Sequence, residues 1–146
     1  EFRRVLFRSP FYVVGTSAKR PQWAALRAQV AEHEAIADIA FRGDYYPLTE
    51  YDQSQKVWMA WEFHRPDEGR GYVQAFRREN NIQTEVRIPL RGLDPEATYE
   101  IANRDTGEVQ RGTGRDLMTT GLLAYAAAPR TALLFTFRKV TAPAAP

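Results

Sequence analysis

The spacing of apolar positions changes character once along the chain. From Pro21 to about Phe41, the residues Trp23, Leu26, Val30, Ala37 and Ala40 recur at helical spacing, with Ile36 on a flank. Arg27, Glu32 and Glu34 take the other faces. Pro21 suits a first helical turn, and Thr16 or Ser17 upstream can cap it. Gly43 is expected to end the helix as a residue free to adopt positive φ. Upstream, the apolar run Phe11-Tyr12-Val13-Val14 before Gly15 reads as a strand or as the wall of a larger unit.

After Gly43 the period shortens to that of strands. Val57 to Phe63 has strand composition, and Gly71 to Arg77 returns as its hairpin partner. The intervening His64-Arg65-Pro66-Asp67-Glu68-Gly69-Arg70 carries the chemistry of a turn. Thr84 to Leu90 alternates Val86 and Ile88 with Glu85 and Arg87. Thr98 to Asn103, Glu108 to Gln110, Gly121 to Ala127 and Thr131 to Phe137 complete the series, punctuated by Gly92-Leu93-Asp94-Pro95, Asp105-Thr106-Gly107 and Pro129. About seven to eight short strands with frequent turn signals predict a mainly β fold: an antiparallel β-sandwich preceded by one long α-helix. A helix with so wide an apolar face needs a partner, either the sandwich or another domain. The small, Pro-rich stretch 141–146 is expected to be disordered.

Composition narrows the class. The 146 residues fit one domain able to bury a core. With 44% hydrophobic and 26% charged residues, the chain is not a disordered, collagenous or disulfide-stapled sequence. It has no cysteine, hence no disulfide and no thiolate metal site. No apolar run reaches the ~20 residues of a membrane-spanning helix. A net charge of +2 and a pI near 9.1 hint at an anionic partner. Residues 1–9, Glu-Phe-Arg-Arg-Val-Leu-Phe-Arg-Ser, nevertheless read as a translated sequencing adapter. They hold three Arg and one Glu; without them basic and acidic residues balance at 17 each. The hint goes with them, and no nucleic-acid or membrane partner is expected.

Candidate chemistry is sparse. Asp44, Asp67, Glu68 and Asp116 each sit beside Gly or Pro, or in a turn, where such side chains normally bond nearby backbone. His33 in the helix and His64 in the hairpin loop lack companions for a metal site. Gly69-Arg70-Gly71 and Gly112-Thr113-Gly114 lack the Lys and the strand-to-helix setting of a phosphate loop, and Ser9, Ser17 and Ser54 show no nucleophile elbow. Arg77, Arg78, Arg87 and Arg91 are interspersed with Glu79, Glu85 and Glu100, which favours mixed cross-strand pairing over a basic patch. No cofactor or metal is expected. The aromatic residues Trp58, Trp61, Phe63, Tyr72 and Phe76 offer two readings. Alternation places Trp61 and Phe63 with Val57 and Met59 on a core face, and Trp58 with Ala60 and Glu62 on the other, against a second domain or solvent. The alternative is a carbohydrate-binding module, with Trp58 and Tyr72 as sugar platforms.

Four segments, in order, carry a family resemblance. They are Gly43-Asp44-Tyr45-Tyr46-Pro47-Leu48; Trp58 to Pro66 running on to Gly71 to Arg78; Leu90 to Glu100; and Gly114-Arg115-Asp116-Leu117-Met118 with Gly121-Leu122. Together they resemble the C-terminal end of α-galactosidases of glycoside hydrolase family 36. One departure is Glu62, where a Trp-Gln-Phe pattern is expected. The resemblance implies that residues 10–42 are a remnant of a (β/α)8 barrel, with its last helix in 17–42. It implies that 43–140 form the C-terminal antiparallel sandwich. It further implies a parent enzyme that hydrolyses terminal α-galactosides with retention, using two barrel Asp carboxylates about 5–5.5 Å apart. Both would lie upstream, so no catalytic residue is carried over to this chain. The expected role here is a non-catalytic support, with the parent's barrel as partner and the α-galactoside reached through the parent. An oligomeric parent is compatible with this reading.

Overall fold

The computed structural model describes residues 23–140. The readings of residues 1–22 and of the tail 141–146 lie outside that range.

Helix α1 spans Trp23–Arg42. Its covering stripe is Ile36, Ile39 and Ala40, one turn of i, i+3, i+4 spacing, packed on Phe63, Tyr72 and Leu134. Ile36 therefore lies at the centre of the contact, while Val30 is exposed. Between Arg27 and Ala35 no described side chain is buried. Asp38 ties the helix to the sheet through ion pairs with Arg70 and, at 3.7 Å, Arg65. The helix stops at Gly43, whose N–H donates to the Ile39 carbonyl at 2.8 Å. The reason for glycine there differs from the expectation. Gly43 is not among the positive-φ residues. A Cβ would instead lie 2.6 Å from the Ile39 oxygen and 2.9 Å from the His64 oxygen.

Eight strands follow: β1 Asp44–Pro47, β2 Met59–Arg65, β3 Arg70–Arg77, β4 Glu85–Ile88, β5 Thr98–Asn103, β6 Val109–Thr113, β7 Leu122–Tyr125 and β8 Thr131–Val140. Six form one sheet in the order β1-β2-β3-β8-β5-β6, and β4 pairs with β7 in a second. Each strand pair is antiparallel. The fold is mainly β, as expected. Two features were not anticipated. Strand β1 is an edge strand ending in Pro47, which needs no further ladder donor there. Helix α2 (Gly114–Thr119) starts at an N-cap: Asp116 N donates to Thr113 Oγ1 at 3.1 Å, and Thr113 Oγ1 donates to Asp116 Oδ2 at 2.8 Å.

The main core lies between the two sheets. It includes Trp58, Ala60, Val73, Ile88, Leu90, Ile101, Leu122, Phe135 and Phe137. Leu117 of α2 joins them, and its carbonyl accepts from Leu90 N at 3.0 Å. A smaller cluster lies on the opposite face of the large sheet, beneath α1. The sheet is thus the middle layer of three.

Candidate functional site

Strand β2 faces both layers. Register with β3 sets Phe63 opposite Tyr72, Trp61 opposite Gln74 and Met59 opposite Phe76 on the helix side. On the inner side Glu62 is opposite Val73 and His64 is opposite Gly71. The alternation read from the sequence is correct, but the face assignment is reversed. Trp58 and Ala60 point into the main core, whereas Trp61 and Phe63 face outward and Val57 and Met59 are exposed. Both faces of β2 carry large apolar side chains, so alternation alone does not say which meets the second sheet.

The outer face is an aromatic ladder. Tyr45 and Phe63 rings lie 5.1 Å apart, Phe63 and Tyr72 stack at 5.2 Å, and Trp61 packs on Phe76 at 4.9 Å. Trp61 Nε1 donates to Gln74 Oε1 at 2.8 Å. Helix α1 covers part of this ladder. A groove of about 230 Å³ remains beside it, floored by Ile36, Ile39 and Leu134 and rimmed by Glu32, Arg70 and Arg138. Tyr45 and Met59 stay open to solvent on the same layer, and Phe41 (69% exposed) and Val30 are open on the side of α1 turned away from the sheet.

The two aromatic residues considered as sugar platforms are both buried. Trp58 is 3% exposed and its Nε1 donates to the Gln83 carbonyl at 3.2 Å. Tyr72 is 4% exposed under α1. Neither presents a ring face to solvent, so the geometry does not favour the carbohydrate-module alternative. Trp58 also does not reach solvent or a second domain, because it is enclosed by the two sheets.

Of the turn carboxylates named from the sequence, Asp44 lies instead at the start of β1, opposite His64, while Asp67, Glu68 and Asp116 are engaged with basic side chains or local backbone. Asp67 forms two hydrogen bonds with Arg65, at 3.1 and 2.6 Å, and these hold its carboxyl below the usual range. Glu68 pairs with Arg65 and Arg70. Asp116 caps α2. Glu100 receives Arg111 and Arg138 from the two flanking strands, which holds it below its ordinary value. Cross-strand pairing of mixed charges therefore occurs, although with partners other than the Arg residues singled out. Arg77 is buried and donates to the carbonyls of Asn81, Ala126 and Ala127, a structural clasp. Arg78 reaches Asp52 at 3.7 Å. His33 is half-buried on α1. Among the described residues no cluster of His, Asp and Glu has the arrangement of a metal site, and no helix is long and apolar enough to cross a membrane.

Polarity in the interior was missed by sequence reasoning. His64 does not lie in the hairpin loop, since β2 runs on to Arg65 and the turn is Pro66–Gly69. Gly71 opposite makes this fit: a Cβ there would lie 2.2 Å from the Phe137 ring, which itself packs 5.3 Å from the imidazole. Glu62 is 0% and His64 1% exposed. Glu62 Oε2 accepts from Arg91 N at 2.8 Å. Glu62 Oε1 and both His64 ring nitrogens have no hydrogen-bond partner among the described residues. Burial pushes the Glu62 carboxyl up to about 8, against the pull of the Arg91 N–H. Burial also lowers His64, opposed by the charges of Asp44 and Asp67. The signal was present as the i, i+2 spacing of Trp58, Ala60, Glu62 and His64, but polar residues in that series suggested an outward face.

The profile of the glycosyl hydrolase family 36 C-terminal domain matches residues 58–137, more than half of the chain. Comparison with curated proteins gives no match. Among solved structures, the galactosidase domain of the α-galactosidase–sucrose kinase AgaSK is similar at 21% identity and a TM-score of 0.68, over 84% of this chain and 16% of that one. The family 36 α-galactosidase AgaB from Geobacillus stearothermophilus is similar at 22% identity and a TM-score of 0.67, over 86% and 17% of the two chains. The α-galactosidase from Lactobacillus brevis matches at 16% identity and a TM-score of 0.67, over 88% and 18%. At these identities the solved structures establish a shared fold, and the chain spans about a sixth of their length. The chain belongs to glycosyl hydrolase family 36, of which it carries the C-terminal domain.

Proposed function

We propose that this chain braces the catalytic (β/α)8 barrel of an α-galactosidase-type hydrolase and takes no direct part in the chemistry. Helix α1 would be the last helix of that barrel, and the sandwich would fix its position. The observation that supports this is the half-covered outer layer. Ile36, Ile39 and Ala40 seal the centre of the aromatic ladder, while Tyr45 and Met59 remain exposed beside it and Val30 and Phe41 are exposed on the side of α1 turned away from the sheet. Large exposed apolar surface of this kind marks a contact with another body. Several carboxylates are occupied as well: Asp67, Glu68 and Glu100 are held in ion pairs, and Glu62 is shut inside the core. The parent would supply two Asp carboxylates from its barrel and hydrolyse terminal α-galactosides with retention. A chromogenic α-galactoside tests this directly. The chain alone is expected to give no turnover above buffer, and clear turnover by it would refute the reading.

A further inference from the structure

Glu62 and His64 lie two residues apart on the inner face of β2, so their side chains enter the same layer. Ionisable groups buried this deeply normally come with a partner for each polar atom. Among the described residues three of those atoms have none, and the bond that Glu62 makes reaches the backbone of Arg91. That bond holds the Pro89–Leu93 turn against β1 and β2. Gly92 sits on the Tyr46 ring there, with room for no side chain: a Cβ would lie 2.7 Å from the Tyr46 hydroxyl.

We propose that Glu62 and His64 make this domain proton-sensitive: the layer between the two sheets tolerates Glu62 as a neutral carboxyl, and ionisation of Glu62 puts a charge there that the bond to Arg91 N cannot compensate, which weakens the packing of β2 and the Pro89–Leu93 turn. The surrounding groups point the same way. Strand β1 contributes Asp44 and Tyr46, neither of them a cation, and Tyr46 titrates high because of its burial and the nearby Asp44 and Glu62 charges. The hairpin contributes Asp67, which acts on His64. Strand β3 presents Gly71 and Val73, and β8 presents Phe137, none of them titratable. Tyr99 of β5 packs edge-on to Phe137, and its hydroxyl accepts from Asp94 N. Among the described residues, the positive charge acting on Glu62 is that of Arg91, whose residue is exposed.

The direction follows from proton counting. Between its ordinary value of 4.5 and about 8, Glu62 holds a proton in the folded chain that the unfolded chain has lost. Stability therefore falls as pH rises through that interval. His64 acts oppositely: below about 6.5 the unfolded chain takes up a proton that the buried ring refuses, so stability falls as pH drops. Just below about pH 6.5 the two slopes offset each other. Above it Glu62 acts alone.

Urea unfolding of the 146-residue chain, followed from about pH 5.5 to about pH 9, tests this. The unfolding equilibrium constant is expected to rise on the order of 30-fold between about pH 6.5 and 9. Glu62→Gln keeps an acceptor for Arg91 N and has no charge to gain, so its rise should stay within about threefold over the same range. His64→Leu removes the opposing slope, and its stability should keep climbing as pH falls below about 6.5. An alkaline loss in Glu62→Gln equal to that of the parent sequence, or no loss in the parent sequence, overturns the proposal. Should Glu62→Gln not fold, infrared spectroscopy of the unaltered chain decides: a protonated carboxyl band is expected at neutral pH and should vanish by about pH 9. Its absence at neutral pH is equally fatal. None of these outcomes depends on the barrel-bracing role.

Discussion

The two faces of β2 solve opposite problems. The inner face is sealed by the chain's own second sheet, and that seal is tight enough to enclose Glu62 and His64 without full hydrogen bonding. The outer face carries the ladder of Trp61, Phe63 and the cross-strand Tyr72 and Phe76, yet a single turn of α1 covers only its centre. On β2, burial therefore does not follow hydrophobicity residue by residue. The face with two ionisable groups is dry throughout, and the face with the aromatic ladder is covered only at its centre. An autonomous domain would be expected to do the reverse, because desolvating a carboxyl costs free energy and covering a ring releases it. The open aromatic face makes sense in a chain that shares it with a larger body, which is the role proposed above.

Three substitutions would break or sharpen this contrast. The largest effect belongs to the inner layer. Phe135→Ala removes a ring buried to 1% exposure and should cost about 3–5 kcal/mol by chemical denaturation. A cost below about 1 kcal/mol would show that the inner layer is not the core. Next comes the helix contact. Ile39→Ala should cost about 2–3 kcal/mol, at the lower end of the range for buried aliphatic truncation, because α1 packs through one turn only. A larger loss than that of Phe135→Ala would reverse the ranking of the two layers. The smallest change is expected at Phe41, whose ring is exposed. Phe41→Ser should alter stability by no more than about 0.5 kcal/mol while lowering any concentration-dependent self-association seen by sedimentation. Unchanged association would remove Phe41 from the open patch.

Much of the architecture was legible because it rests on local periodicity. The helix ending at Gly43, the hairpin around Pro66–Gly69 and the later strands all follow from spacing and turn residues close together in sequence. The misses share a cause in long-range contact. Strand β1 contains Tyr45 and Tyr46 with polar or proline ends, and becomes a strand through its pairing with β2. Helix α2 is too short to show a period, although Thr113 and Asp116 stand at capping-box spacing. Gly43 ends the helix as its spacing predicts, but what demands glycine is the close approach of the His64 backbone, which comes from a strand some twenty residues later. Trp58 was given to the outside because nothing near it in sequence shows that Ile88, Leu122 and Phe135 will arrive on its side.

By itself, the amino-acid sequence determined that a long helix precedes a mainly antiparallel β fold, that β2 has two distinct faces, and that four ordered segments resemble family 36. These properties depend on residue spacing along one strand or helix, where geometry repeats every two or 3.6 positions. The tertiary structure alone decided which face of β2 is interior, that β8 lies between β3 and β5, and that Glu62 and His64 are dry. Whether a polar side chain is exposed depends on what lies above it, and here that cover is supplied by Gly71, Phe137 and the Arg91 turn, each brought from elsewhere in the chain.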